Sequence, residues 1–149
     1  MKEPVVVDST CLIALERIRL LEILSALFDP VLVPPEVERE FGLLEPWLKV
    51  EIPSDRSLVR ALKILVDDGE AEVIALASER GYRAILDDRQ ARWVARNMGL
   101  PIIGTVGIFV KAKHVGIRTE IKPLLEDLER NGFYINGNLK AEALRLAGE

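Results

Sequence analysis

The sequence has very little of the two residue types that build most disulfide and zinc sites: one cysteine, Cys11, and one histidine, His114. A single cysteine excludes an internal disulfide framework and a cysteine-rich zinc site. Because Cys11 stands in an apolar run, we expect a small core residue rather than a reactive thiol. We expect His114 to lie on the surface or partly buried, outside any metal site. The chemistry of this chain therefore has to come from other side chains.

Long apolar runs and several familiar motifs are also missing. No segment approaches the roughly 20 apolar residues that span a bilayer, and no signal peptide precedes the first strand-like run. We therefore expect a soluble, cytoplasmic protein. The chain has no P-loop, no paired-glycine dinucleotide motif and no nucleophile elbow. Its 149 residues, 49% of them apolar, predict one folded domain over residues 1–149.

The net charge of −4 argues mildly against general affinity for nucleic acids. The charges are unevenly distributed, however. Residues 1–78 hold 15 acids and 8 bases, whereas residues 79–149 hold 9 acids and 12 bases. Between Arg80 and Lys122 there are 9 bases and 3 acids. This stretch predicts either a solvated helix face or a basic surface that borders an acidic pocket.

Short apolar runs alternate with helical patterns along the chain. The runs at 5–7, 31–33, 84–86 and 101–103 predict four strands, and residues 47–53 alternate like an edge strand. Helical spacing of apolar residues occupies the segments between them and the end of the chain. This order predicts an α/β fold, a three-layer α/β/α sandwich around a central, mainly parallel sheet of four to five strands. Functional side chains gather at the carboxyl ends of the strands in such sheets.

Acidic and polar side chains stand where the predicted strands end or where the neighbouring helices begin. If the strands are parallel neighbours, these side chains converge on one edge of the sheet. The candidates are Asp8, Glu36, Glu40, Glu70, Glu72, Asp87, Asp88 and Thr105.

Each candidate also has a structural alternative. Asp8, Thr105 and one of the two adjacent aspartates, but hardly both, could cap helices. Glu36 and Glu40 could be ordinary solvated helix acids. Glu70 could form a capping box with Asp67, and Glu72 could be surface charge. Taken together, the alternatives explain less, because clustered acids without bases repel one another. A divalent cation relieves that repulsion, and hard oxygen ligands select Mg²⁺ or Mn²⁺ over zinc.

The order of the motifs resembles that of a PIN domain, a compact α/β nuclease best known as the toxin of VapBC-type toxin–antitoxin pairs. Asp8 ends the first strand, "VPPEVERE" follows the second, "GEAEVIALA" precedes the third, and "DD" follows it. The resemblance covers most of the chain. It is closest to a prokaryotic subgroup with GEAEAIALA, DDxxAR and GTxGI signatures, which stand here as GEAEVIALA, DDRQAR and GTVGI. The closing "GFYINGNLKAEAL" also resembles the tail of that subgroup.

The resemblance implies a set of site residues. The first acid is Asp8, beside Ser9 or Thr10, and the second is Glu40. The third is Glu70 or Glu72, with Glu70 favoured by the count back from the helix end, and the fourth is Asp88 or Asp87. Thr105 orients the acids or the water. The implied catalytic residues are Asp8, Glu40, Glu70, Glu72, Asp87, Asp88 and Thr105, and the implied metal ligands are Asp8, Glu70, Asp87 and Asp88.

The resemblance also implies an activity and partners. The expected reaction is Mg²⁺- or Mn²⁺-dependent cleavage of single-stranded RNA, which leaves a 5′-phosphate and a 3′-hydroxyl. Arg89, Arg92 and Arg96 would bind RNA phosphates, or else be solvated helix charge. A homodimer and a small antitoxin protein are the expected protein partners. A weakened PIN fold that binds RNA or a protein without cleaving it is the main alternative. A receiver-like domain fits less well, because Asp8 stands alone at its strand.

Overall fold

A five-stranded parallel sheet forms the centre of the structure, a computed structural model that describes residues 2–43 and 45–149. Within these residues the strands are β1 (Glu3–Val7), β2 (Phe28–Val33), β3 (Leu48–Val50), β4 (Arg83–Ile85) and β5 (Ile102–Ile103). Their order is β3-β2-β1-β4-β5, and every pairing is parallel. The predicted α/β/α fold is confirmed, with the ambiguous segment at 47–53 contributing the edge strand β3.

Nine helices flank the sheet within the described part of the chain. They are α1 (Ser9–Arg17), α2 (Ile23–Leu27), α3 (Pro35–Phe41), α4 (Arg56–Leu62), α5 (Asp68–Arg80), α6 (Arg89–Asn97), α7 (Thr105–His114), α8 (Lys122–Arg130) and α9 (Gly137–Leu146). The strand bounds differ from the predicted apolar runs by one to three residues. The largest difference is in β2, which begins at Phe28 because its pairing with Glu3 of β1 extends it beyond the apolar run at 31–33.

The central strand β1 brings the two halves of the chain together. Val5, Val6 and Val7 are completely buried, as expected for a parallel strand covered on both faces. From β1 the chain proceeds to β2 and β3 on one side, and later returns to pair β4 with the other side of β1. The carboxyl ends of β1 and β4 therefore form the point at which the strand order reverses, where ligands bind in sheets of this type.

The strand register fixes which residues meet at this edge. Val7 pairs with Ile85, and Ile85 pairs with Ile103. The Asp8 amide donates to the Ile85 carbonyl at 3.2 Å. The strands β1, β4 and β5 therefore end at the same edge of the sheet. The residues that follow them are distant in sequence but are neighbours in space.

The two helices that border this edge have ends that the sequence specifies locally. Pro35 occupies the first turn of α3, where its missing N–H costs no hydrogen bond, and Gly42 ends that helix with a φ of 76°. Asp67 and Glu70 form a capping box at the start of α5, and Gly81 ends it with a φ of 71°. Both helices are therefore fixed in position at the ends that face the site.

The sparse residue types lie where the sequence predicts. Cys11 is completely buried in the core, which confirms the core interpretation. His114 is exposed, and its Nε2 lies 3.0 Å from the Leu146 carbonyl. Among the residues that the structure describes, none of the helices has the length and apolarity needed to cross a membrane.

Candidate active site

Asp8 and Glu40 meet against the first turn of α5. Asp8 is 3% exposed and holds the N-cap position of α1, but its side chain makes no capping hydrogen bond. The Ser9 hydroxyl donates to Glu40 Oε2 at 3.5 Å. A Cβ on Gly69 would lie 2.4 Å from Glu40 Oε1 and 3.6 Å from Asp8 Oδ1. Both carboxylates therefore lie beside Gly69, and the absence of a side chain there allows the approach.

Glu70 joins the same group of acids through its capping box. The Glu70 amide donates to Asp67 Oδ1 at 2.8 Å, and the Asp67 amide donates to Glu70 Oε1 at 3.2 Å. The capping box that the sequence predicts between Glu70 and Asp67 is thus confirmed. The capping box also holds Asp67 close to Asp8, since the negative charge of Asp67 raises the pKa of Asp8. Asp67 is a site neighbour that the sequence analysis treated as a helix cap alone.

Burial and mutual repulsion raise the pKa values of these carboxyls. Burial, followed by the charges of Glu70, Asp67 and Glu40, raises the pKa of Asp8 to about 8. Burial likewise raises the pKa of Glu70 to about 7, with contributions from Asp67 and Asp88. The pKa of Glu40 is also raised, by burial first and by Asp67 second. Burial is the largest cause of all three shifts, and at Glu40 the positive charge of Arg39 opposes the rise in pKa.

We call Asp8, Glu40, Asp67, Glu70 and Asp88 the acidic cluster. Within residues 2–43 and 45–149, none of the five forms an ion pair with a lysine, arginine or histidine. Protonation or a bound cation relieves the repulsion at Asp8 and Glu70, the two buried members of the cluster.

The two adjacent aspartates after β4 hold the ends of two different helices. Asp88 caps α6, since the Ala91 amide donates to its Oδ2 at 3.0 Å. Asp87 accepts from the Thr105 amide at 2.8 Å and from the Thr105 hydroxyl at 2.6 Å. Of the two aspartates only Asp88 is a helix cap, as expected, and β5 brings the start of α7 alongside Asp87, which binds Thr105 there.

Arg92 supplies the positive charge beside Asp87. Its Nη1 donates to the Leu86 carbonyl at 2.8 Å, and a Cβ on Gly104 would lie 3.0 Å from both Arg92 Nη1 and Asp87 Oδ1. Burial raises the pKa of Asp87, whereas the hydrogen bonds from Thr105 and the charge of Arg92 lower it. Asp87 thus already has partners. Asp87 and Thr105 join the end of β4 to the start of α7, and their catalytic and metal-binding roles stay predictions.

Glu72 lies outside the acidic cluster. Its Oε1 accepts from the Glu36 amide, in the first turn of α3, at 3.1 Å, and its Oε2 lies 4.0 Å from Arg56 Nη2. At 6% exposed, it is not surface charge either. The assignment of Glu72 to the catalytic set stays a prediction, and these contacts favour a structural role for it. Its carboxylate holds α3 and α4 against α5, and Glu70 is the glutamate that faces the other acids.

A family model described as DUF3368, a PIN domain, matches residues 4–149. The chain belongs to the PIN domain family. No curated protein and no solved structure matches the chain. PIN domains are generally nucleases that use divalent metals, so this PIN domain is nuclease-like. The more specific subgroup resemblance stays a prediction.

The acids of this PIN domain fit a divalent cation by their chemistry. In the described ranges, 2–43 and 45–149, no three carboxylate, imidazole or thiol side chains are arranged to hold a metal ion with their present rotamers. The donor set is nevertheless all oxygen, without a paired base, and it includes a carboxyl whose pKa is about 8. Hard cations such as Mg²⁺ and Mn²⁺ take such ligands.

The three arginines of α6, which the RNA hypothesis assigns to phosphate binding, lie at one cleft. Arg92 is half-buried, and Arg89 and Arg96 are exposed. All three line an open cleft of about 460 Å³ that also reaches Asp87. Tyr134 lines the same cleft and was not among the predicted site residues. Its only signal in the sequence was the resemblance of the tail "GFYINGNLKAEAL".

Proposed function

We propose that this PIN domain is a Mg²⁺- or Mn²⁺-dependent ribonuclease that hydrolyses phosphodiester bonds of single-stranded RNA. One observation carries the proposal: the buried Asp8 carboxyl, with a pKa of about 8, lies beside Glu40 and near Glu70 at the reversal point of the sheet. Asp88 of the cluster lines a cavity together with Arg92, and that cavity adjoins the cleft lined by all three arginines of α6. This arrangement suits a phosphodiester substrate, because the acids would bind a divalent cation and the arginines would bind the phosphate.

The residues of the acidic cluster have distinct roles in this proposal. Asp8, Glu40, Glu70 and Asp88 would hold the ion, which when bound activates water and stabilises the leaving oxygen. Because the pKa of Asp8 is about 8 and that of Glu70 about 7, both carboxyls must release protons before they bind a cation. Cation affinity is therefore expected to rise with pH across this range.

Other residues position the cluster and the substrate. Asp87 and Thr105 join the end of β4 to the start of α7. Arg92 is held by the Leu86 carbonyl beside them, and its remaining donors are available to a phosphate of the RNA. A homodimer, an antitoxin partner, a cytoplasmic location and a prokaryotic origin belong to this proposal as predictions from the family resemblance.

The proposal is tested by incubating labelled single-stranded RNA with the wild type, Asp8→Asn and Asp29→Asn. Asp29 is exposed and forms no ion pair within the described residues, so Asp29→Asn controls for loss of one carboxylate. We expect Mn²⁺-dependent cleavage by the wild type and Asp29→Asn, and a loss of at least about 100-fold in Asp8→Asn. Cleavage that persists in EDTA or in Asp8→Asn would contradict the proposal.

A binding module without nuclease activity is the second candidate. It is favoured by the capping box, which occupies Glu70, and by the present rotamers, which do not form a chelating triad within the described residues. The same assay separates the two functions. A binding module retains RNA affinity in the wild type and in Glu70→Gln, and neither protein cleaves RNA with Mn²⁺.

A further inference from the structure

A cleft lined by arginines and one exposed tyrosine borders the acidic cluster. It consists of two adjoining cavities, of about 740 Å³ and about 460 Å³, that share Asp87, Arg92, Tyr134 and Leu139. The larger one reaches Asp88 of the cluster. The smaller one reaches the other two arginines of α6. We call this space the Tyr134 cleft.

The Tyr134 side chain projects into solvent from an anchored loop. It is 84% exposed, whereas Ile135 is 5% exposed and Phe133 packs against the core. The Phe133 amide donates to the Leu128 carbonyl at 2.9 Å, and Asn136 caps α9. Because residues on both sides hold the backbone, the aromatic ring is presented at the edge of the cleft.

The opposite wall carries three arginines, and one acid, Asp87, lies among them. Within the described residues, none of Arg89, Arg92 and Arg96 forms an ion pair with an acid. Burial lowers the pKa of Arg92, and the positive charge of Arg96 lowers it further, so these two guanidinium groups are close enough to repel each other. Three such cations on one cavity favour a polyanionic ligand.

We infer that the Tyr134 cleft binds one strand of RNA, with the arginines on its phosphates and one unpaired base stacked on Tyr134. The inference rests on the proposed ribonuclease function and adds how the substrate is held. Bases inside a duplex cannot stack on a protein ring, whereas a single strand offers both its phosphates and its base faces. An acidic peptide would pair with the arginines, but it would offer no base to stack on the exposed Tyr134 ring.

The stacking is tested by fluorescence anisotropy with a short labelled oligouridylate in EDTA, so that binding is measured without cleavage. Tyr134→Ala should bind about 5- to 100-fold more weakly than the wild type, the range found when one stacking aromatic is removed. Tyr134→Phe, which keeps the ring, should restore most of the affinity. On an oligonucleotide whose bases are replaced by abasic sites, the wild type and Tyr134→Ala should bind equally.

The phosphate contacts are tested through the salt dependence of the same binding. Arg96→Gln should lower the slope of log affinity against log salt by about 0.7, the contribution of one phosphate contact to a single strand. Arg60→Gln is the matched control, because Arg60 is an exposed arginine on α4 that does not line the Tyr134 cleft. It should leave the slope unchanged.

The outcomes separate this inference from the ribonuclease proposal. Equal affinities of Tyr134→Ala and wild type for oligouridylate would overturn the stacking inference, even if Asp8-dependent cleavage is found. Preference for duplex RNA or for an acidic peptide over oligouridylate would also overturn it. If Tyr134→Ala loses affinity but the wild type cleaves no RNA with Mn²⁺, the cleft inference stands and the ribonuclease proposal fails.

Discussion

Glu40 and Gly69 are in such close contact that a Cβ on residue 69 would lie 2.4 Å from Glu40 Oε1. Gly69→Ala should therefore displace the Glu40 carboxylate, while alanine, a better helix former by up to about 1 kcal/mol, preserves α5. We expect RNA cleavage to fall by about 10-fold or more, a loss of over 1.4 kcal/mol in transition-state stabilisation. The melting temperature should not decrease.

Gly137→Ala is the control for this prediction. Gly137 begins α9, and a Cβ there would meet nothing within 4 Å among the described residues. It should keep full cleavage activity. Equal activity of Gly69→Ala and Gly137→Ala would show that the approach of Glu40 to α5 is not needed.

The Asp8 carboxyl should make the metal-free protein less stable as the pH rises. Its pKa is about 8 in the folded protein and has an ordinary value of 3.8, so between these values the folded state holds a proton that the unfolded state has released. The free energy of unfolding then falls with increasing pH over this window.

Asp8→Asn removes this titration, and the variant should be more stable than the wild type at pH 8 by on the order of a few kcal/mol. At pH 4 the two proteins should be similar. Urea unfolding in EDTA at both pH values measures the difference. A wild type that is the more stable protein at pH 8 would show that the Asp8 charge is compensated within the protein.

Thr105 should hold Asp87 through its hydroxyl. Thr105 is completely buried and donates to Asp87 Oδ2 at 2.6 Å. Thr105→Val keeps the shape but leaves a buried carboxylate oxygen without this donor, which should lower the free energy of unfolding by about 1–3 kcal/mol. Thr105→Ser should recover most of the loss. Urea unfolding of the three proteins checks this, and equal stability of Thr105→Val and wild type would contradict the role.

Glu70 and Glu72 should respond differently to the same substitution. Glu72 contacts the Glu36 amide and lies 4.0 Å from Arg56, and a glutamine can still accept from that amide. Glu72→Gln should therefore keep its RNA cleavage rate, whereas Glu70→Gln should lose cleavage. Initial rates with Mn²⁺ measure the contrast. Loss of cleavage in Glu72→Gln with an unchanged melting temperature would place Glu72 in the catalytic set.

The sequence was sufficient to predict the fold because the parallel strands carry continuous apolar runs. The strand at β1 is a run of valines that are all buried, and a run of that kind indicates a parallel strand without further information. The three-residue strand β3 is too short to be identified from periodicity, and it became certain through its pairing with β2.

The site could be predicted in its composition but not in its detail. Glu70 and Glu72 are separated by about 200° around α5, so one of them had to face away from the other acids, and the position of α3 decides which. The role of Asp87 was equally hidden, because its partner Thr105 is distant in sequence and is brought near by β5. These assignments depend on contacts between elements, which local patterns do not contain.

Calorimetric titration of Mn²⁺ into the wild type, Asp8→Asn and Asp88→Asn tests the central claim most directly. The claim is that residues from the ends of β1 and β4 share one cation site. We predict binding to the wild type that is lost or greatly weakened in both variants, with Asp29→Asn binding like the wild type. Binding that is unchanged in Asp8→Asn, or no binding to the wild type even when RNA is present, would contradict the claim.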